Sequence, residues 1–326
     1  MYQLFGIDVS PYSVKVRALL RYKNLPYEWL IRNKDNEPAF REKAKLPIIP
    51  LLITPTGDSL QDSTPIMDFL EQAHPSPNAQ LADPALNFLA YALEEAADEW
   101  LIKAMFHYRW NYEADRIDAS RRIAIASLGP DQDPTAYAEK IGAFLMTRRE
   151  PLGCTSDNAE AIEAQLDETA LRLDQHLGEH RFIFGEAISF ADFGLACIFY
   201  ELLSDPTPRA RLAKLKNIHR WVDSVMAGAD GHVGDVTPWP KLAPTLTPLL
   251  DHLLLHTYLP WARANAASSA TNETFTTHIQ GHEFTQSAQK YPAKSWQVLV
   301  QRWQALSNEE RASANSHLNG LDEAMA

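Results

Sequence analysis

Only two cysteines, Cys154 and Cys197, occur in 326 residues. Two thiols so placed make neither a disulfide framework nor a CxxC metal site. They read as reduced, structural thiols of a cytosolic protein. No apolar run approaches the roughly 18 residues that a membrane span needs; Leu46–Ile53 is the densest short one. The first residues, Met-Tyr-Gln-Leu-Phe, lack a basic segment followed by an apolar one, so no secretory leader is expected. Basic charge is scarce as well: 30 Lys+Arg stand against 42 Asp+Glu, a net −12. That balance argues against a general nucleic-acid binder and against a binder of anionic membranes. The expectation is a soluble, cytoplasmic protein that binds neither nucleic acid nor membrane.

Hydrophobic residues make up 45% of the chain, enough to bury real cores, and the length suggests about two domains. Charge is unevenly spread. Residues 1–80 carry nine basic and nine acidic groups, and residues 1–46 alone are +4, so the whole deficit lies beyond residue 80. A basic first half is compatible with a small anion, or with ordinary solvated charges.

Residues 2–8 alternate weakly and predict a strand. The spacing of Val16, Leu19 and Leu20 predicts a helix from about Ser13 to Asn24, stopped by Leu25-Pro26. Strands are predicted at Tyr27–Ile31, at 48–53 around Pro50, and at Ser59–Gln61 after the turn Thr56-Gly57-Asp58, with a helix over Ser63–Ala73. The crossover implies a parallel pair and the turn an antiparallel hairpin, hence a mixed sheet with helices on it. After a linker at 76–84 the pattern is helical: Leu86 to Tyr108, then Ile162 to Leu177 with Asp157 and Glu160 as a capping box, then Leu215 to Val225. Residues 228–248, rich in Gly and Pro, are expected to form a loop. Beyond them Gln280-Gly281 signals a hairpin, and Trp296 to Leu306 returns to helical spacing. The division expected is 1–75, 85–227 and an extension over 228–326.

Four local features stand in order. Ser10-Pro11-Tyr12-Ser13 lies at the first strand–helix junction, where a hydroxyl sits at the positive end of the helix and beside free N–H groups; this suits a thiolate or a plain N-cap. Ile49-Pro50 interrupts an apolar run, either as a cis bond that turns the Ile49 backbone outward or as a trans edge proline. Asp62-Ser63-Thr64-Pro65-Ile66 opens a helix; it is a cap, or a pair that holds the two ends of an α-amino acid. Ser189-Phe190-Ala191-Asp192 is a capping-box variant, with Ile188 and Phe193 at staple spacing.

Together these residues resemble the cytosolic glutathione transferase (GST) superfamily. Ser10 to Arg17 resembles its Ser-Pro-(Tyr/Phe)-x-x-Lys-Val-Arg start. Ile49-Pro50-Leu51 resembles the Val-Pro-x-Leu cis-proline motif, Asp62 to Ile66 the Glu-Ser-x-Ala-Ile helix start, and Phe184 to Asp192 the Gly-x-x-x-(Ser/Thr)-x-Ala-Asp capping motif of the second domain. The gaps of 40 residues (10 to 50) and 13 (50 to 63) fit too. The resemblance implies a thioredoxin-like N-terminal domain with a mixed sheet, an all-helical C-terminal domain and an extra C-terminal segment. It implies glutathione as co-substrate and no metal. Ser10 would donate to the glutathione thiolate, Ile49 would pair with its cysteinyl backbone with cis Pro50 behind it, and Asp62 and Ser63 would take the γ-glutamyl end. A small hydrophobic electrophile and a homodimer would complete the picture.

Two departures from the family's redox and tyrosine-type relatives count. Ser10 and Ser13 stand where glutaredoxin relatives carry cysteines, so mixed-disulfide chemistry is not expected. Phe5-Gly6 stands where tyrosine-type enzymes carry their tyrosine, so a tyrosine mechanism is not expected; Tyr12 is an outside candidate, expected to pack locally. Tyr108, Trp110 and Tyr112 are candidates for the electrophile pocket or for core packing. His278 and His282 flank a turn with no third ligand in view, so a metal is not expected there. The activity implied is a serine-type glutathione transferase. The alternatives are a non-catalytic glutathione- or ligand-binding protein and a glutathione-dependent lyase or reductase.

Overall fold

The computed structural model describes residues 1–129, 131–271 and 273–326. The N-terminal part runs Tyr2–Gly6 (β1), Pro11–Tyr22 (α1), Tyr27–Ile31 (β2), Glu37–Lys43 (α2), Leu51–Ile53 (β3), Ser59–Gln61 (β4) and Ser63–Ala73 (α3). The sheet order is β2-β1-β3-β4. β1 and β2 are parallel in the register Tyr2↔Tyr27, whereas β3 is antiparallel to both β1 and β4. This is the mixed sheet of a thioredoxin-like domain.

Strand period two sorts the sheet's side chains. Leu4 and Leu52 join the main core against α1 and α3, while Phe5, Leu51 and Ile53 form a small second core with Phe40. Phe40 is the only buried residue of α2. A helix that buries one side chain leaves no periodic stripe, which explains why the sequence pattern gives no sign of α2. Gly6 ends β1 where α1 crosses it: a Cβ there would lie 2.6 Å from the Trp29 ring and 2.8 Å from the Ser13 Cβ.

The second part is helical. Pro84–Ala96 (α4) runs through a π-turn, Ala97–Leu101, into Ile102–Asn111 (α5). Glu113–Leu128 (α6), Thr135–Met146 (α7) and Ala159–Glu179 (α8) follow, then Phe190–Ser204 (α9), Pro206–Arg211 (α10) and Lys216–Met226 (α11). Asp192 sits at 0% exposure in the first turn of α9. Its carboxylate accepts from the N–H of Ser189 at 2.9 Å and of Ile183 at 3.0 Å, from the Ser189 hydroxyl, and from the Trp221 indole at 3.0 Å. The sequence-read box at 157–160 is different: α8 starts after Asn158, with no side-chain cap. Asn158 is drawn away instead, bonding the Gly153 and Thr285 carbonyls.

The extension adds Trp239–Leu250 (α12), a π-helical stretch Asp251–Tyr258, Leu259–Ser268 (α13), the hairpin Thr274–Ile279 (β5) and His282–Ser287 (β6), then Lys290–Ala305 (α14), Asn308–His317 (α15) and Leu321–Met325 (α16). The loop expected over 228–248 is therefore half wrong. Pro240 stands in the first turn, where no helical bond is lost, and only Pro244 and Pro248 are interior, on the less buried side of the helix. Leu242, Leu246, Leu249 and Leu250 are fully buried on the opposite side. An interior proline costs about 3 kcal/mol and a buried leucine contributes about 1.5–3, so packing outweighs the prolines. No helix among the described residues is long and apolar enough to cross a membrane.

Candidate functional site

Ser10 is the N-cap of α1, with extended backbone angles (φ −118°, ψ 114°) and Pro11 in the first turn. Its Oγ accepts from the Ser13 N–H at 3.4 Å. The hydroxyl hydrogen is left to donate elsewhere, and Ser10 borders a cavity of about 470 Å³ between the two parts of the chain. The loop before it is anchored from the helical part. Arg109 on α5 donates to the Val9 carbonyl at 3.1 Å while pairing with Glu201 and Asp205, each at 2.7 Å. Arg109 carries no sequence signature; its partners lie more than 90 residues away.

The seam between the domains is polar and buried. Lys15 of α1 is fully buried between Glu94 at 2.6 Å and Asp98 at 2.5 Å. One ammonium cannot neutralise two carboxylates, and Asp98 is pushed up to about 7, first by burial and further by Glu94, against the pull of Lys15. Tyr12 does not pack locally as expected: its hydroxyl reaches the helical part, donating to the Asp98 carbonyl at 3.0 Å, and its side chain borders the Ser10 cavity. The π-turn widens the helix here and brings Asp98, Glu99, Ile102 and Lys103 to the cavity wall; such turns recur at functional positions.

The Ile49–Pro50 bond is cis, as is Ser76–Pro77, which the sequence does not announce. Ile49 borders a separate depression of about 560 Å³ with Arg32 and Lys34, joined to the Ser10 cavity at Ile123. Asp62 borders a third, of about 110 Å³, which shares Asp98, Glu99 and Tyr291 with the Ser10 cavity. Three of the five sequence candidates, Ser10, Ile49 and Asp62, thus fall along one chain of depressions rather than in one cleft, whereas Pro50 and Ser63 line none of these three.

At the amino-acid end the details differ from expectation. Asp62, not Ser63, is the residue before α3, and its side chain makes no cap. Asp62 has φ 80°, ψ 132°, a left-sided conformation unusual for a residue with a side chain. Such strain, of order 1–3 kcal/mol, gathers at functional positions. Ser63 is the first helical residue, 2% exposed, with its hydroxyl donating to Asp98 at 3.4 Å.

The C-terminal extension reaches this site, through residues that carry no signature in the sequence. The Tyr291 hydroxyl, in the first turn of α14, donates to the Asp62 carboxylate. Ser295 donates to Glu99 at 3.1 Å, and Arg302 to Asp68 of α3 at 2.5 Å. Of the three aromatic candidates, Trp110 lines the Ser10 cavity. Tyr108 is buried and stacked on Tyr112 at 5.4 Å, and Tyr112 donates to Glu163. Both cysteines are fully buried, and burial pushes the Cys154 thiol up to about 12.

A thioredoxin-like domain followed by a helical one, with a cis proline and a serine at the first helix start, defines a protein class. The family model described as "Glutathione S-transferase, N-terminal domain" matches residues 4–79, and "Glutathione S-transferase, C-terminal domain" matches residues 156–224. The chain belongs to the glutathione S-transferase superfamily. Among solved structures, the beta-etherase LigF from Sphingobium sp. strain SYK-6 is similar at 18% identity and a TM-score of 0.52, over 71% of this chain and 98% of that one. A glutathione S-transferase from Methylobacterium radiotolerans, in complex with glutathione sulfonate, shares 23% identity at a TM-score of 0.46, over 73% and 97%. These likenesses concern the fold, and more than a quarter of this chain lies outside them. No curated protein matches the chain.

Proposed function

We propose that the protein is a serine-type glutathione transferase that joins the glutathione sulfur to small hydrophobic electrophiles. The observation that carries this reading is Ser10, held at the N-terminus of α1 on the wall of an interdomain cavity of about 470 Å³. In this reading Ile49, held by cis Pro50, pairs with the cysteinyl backbone, and Asp62 and Ser63 take the γ-glutamyl ammonium and carboxylate. The thiol gives its proton to solvent. The thiolate is stabilised by the Ser10 hydroxyl and by the orphan N–H groups of α1. Sulfur then attacks the electrophilic carbon, a C–S bond forms, and the leaving group departs with its electron pair.

A free thiol with a pKa near ~8.5 is only a few per cent ionised at neutral pH, so a fall of one to two units makes the thiolate a large fraction. Retention on immobilised glutathione followed by a conjugation assay tests the proposal. Retention with turnover of a neutral aryl halide is the expected result.

One observation favours a second reading, a glutathione-binding protein without turnover: Tyr291 already engages Asp62. Retention without conjugation selects it. Family membership is also the basis for proposing a homodimer in the cytoplasm. Light scattering that returns a mass near 36.7 kDa at micromolar concentration rejects the dimer.

A further inference from the structure

Four cations are buried among the described residues: Lys15, Lys23, Lys103 and Arg109. Three of them touch a carboxylate. Lys15 meets Glu94 and Asp98, Lys23 meets Glu71 at 2.9 Å, and Arg109 meets Glu201 and Asp205. Lys103 is held instead by two neutral oxygens, the Leu152 carbonyl and the Gln286 side-chain amide, each at 3.0 Å. Its ammonium lies 4.3 Å from the centre of the Trp261 ring. Gln286 is itself fixed, donating to the Pro151 carbonyl and accepting from the Trp261 indole.

A buried charge without a counter-charge is costly, and such groups are paired or bind something. Lys103 is 2% exposed, yet it lines the same cavity as Ser10. The rest of that wall is mostly apolar, with Ile102, Met105, Phe106, Trp110 and Leu145. The volume falls in the range of small-molecule sites, roughly 300–1,000 Å³.

We propose that Lys103 is the anion anchor of this cavity, and that the molecule taken there is an apolar carboxylate whose hydrocarbon or aryl body lies on the Phe106 and Trp110 side. The inference deepens the transferase reading and rests on it only for the claim that this carboxylate is the electrophile. Of the two acids on the cavity wall, Asp98 is paired with Lys15. Glu99, four residues before Lys103, is pushed up to about 8 by burial and by Asp98. This upward shift weakens Glu99 both as a counter-charge to Lys103 and as a repulsion to an anion. Burial pushes Lys103 down to about 8, which leaves it mainly charged at pH 7. The neighbouring Cys154 thiol, which donates to the Lys103 carbonyl, is neutral there.

The test uses 4-phenylbutanoate and 4-phenylbutan-1-ol, titrated into the full chain by calorimetry at pH 7. The carboxylate should bind at least about tenfold more tightly than the alcohol, as a charge-assisted bond requires. Lys103→Met should remove that preference, Lys103→Arg should keep most of it, and the alcohol and glutathione should bind all three proteins alike. Equal affinities in the unmodified protein, or a preference that survives Lys103→Met, overturn the proposal.

Should Lys103→Met fail to fold, the unmodified protein and Glu99→Gln still decide. In both, carboxylate affinity should fall between pH 7 and 9.5 while alcohol affinity stays level; a flat carboxylate profile in Glu99→Gln overturns the proposal. Carboxylate preference without glutathione binding leaves the Lys103 site standing and removes the transferase reading. Conjugation of neutral electrophiles without carboxylate preference does the reverse.

Discussion

Ser10 and Asp62 each have a place in the fold and, in the proposed function, a place in the chemistry. Ser10 receives the Ser13 N–H through its oxygen, while its own hydrogen remains free for a sulfur anion. Replacing it with alanine is expected to cut conjugation at neutral pH about ten- to hundredfold, since a hydrogen bond to a charged group contributes roughly 1.5–3 kcal/mol. Glutathione affinity should hold, and the thiolate absorbance of the complex should titrate closer to the free thiol. Unchanged rate and titration make Ser10 a cap and nothing more. Asp62 combines a carboxylate with a positive φ of 80°. Asp62→Gly relieves the backbone and deletes the charge, so the melting temperature should hold or rise while glutathione affinity drops about tenfold or more. An affinity equal to that of the parent removes Asp62 from the site. Both residues are legible in the sequence because each opens a helix at a fixed distance from its neighbours. Arg109, which fixes the Ser10 loop, is not, because it acts through charges brought close only by folding.

Elements differ in how plainly their sequences speak. β2, β4 and α3 have the bounds that their patterns predict, because Pro, Gly and Asp punctuate them. α2 and α12 escape notice for opposite reasons, one burying a single ring and the other carrying three prolines. α9 depends on Asp192, whose four donors lie in the core. Asp192→Ala strands them and should cost about 3 kcal/mol in urea unfolding; a loss below about 1 kcal/mol would mean that water replaces the carboxylate. α14 brings Tyr291 onto Asp62. If that hydroxyl competes with the γ-glutamyl ammonium, Tyr291→Phe should raise glutathione affinity several-fold. A fall instead assigns Tyr291 to ligand binding.

For the whole molecule, the seams between parts are built from buried acids, and that sets the pH response. Burial pushes Glu99 up to about 8, Glu201 to about 7 against its Arg109 partner, and Asp192 to about 6. A folded pKa above the unfolded one gives stability that is full below the unfolded value and lost as pH rises through the folded value. Thermal stability is therefore expected to increase as pH falls from about 8.5 to about 6.5. Below that, His176, which burial holds down at about 4, opposes the trend because folding resists its protonation. A melting temperature that falls steadily from pH 8.5 to 6.5 contradicts this account.

The sequence alone determined the mixed sheet, the helical second part, the capped start of α9 and the residues at the two helix starts of the candidate site. All of these rest on local physics: period two or 3.6, a proline or glycine at a boundary, an acceptor placed for free N–H groups. Tertiary structure decided the rest. The hydroxyl that meets Asp62 comes from a tyrosine 229 residues away. The carbonyl and amide that hold Lys103 come from 49 and 183 residues away. Whether a lysine is neutralised depends on which side chains the packed core places around it, and no spacing in a linear sequence encodes that distance.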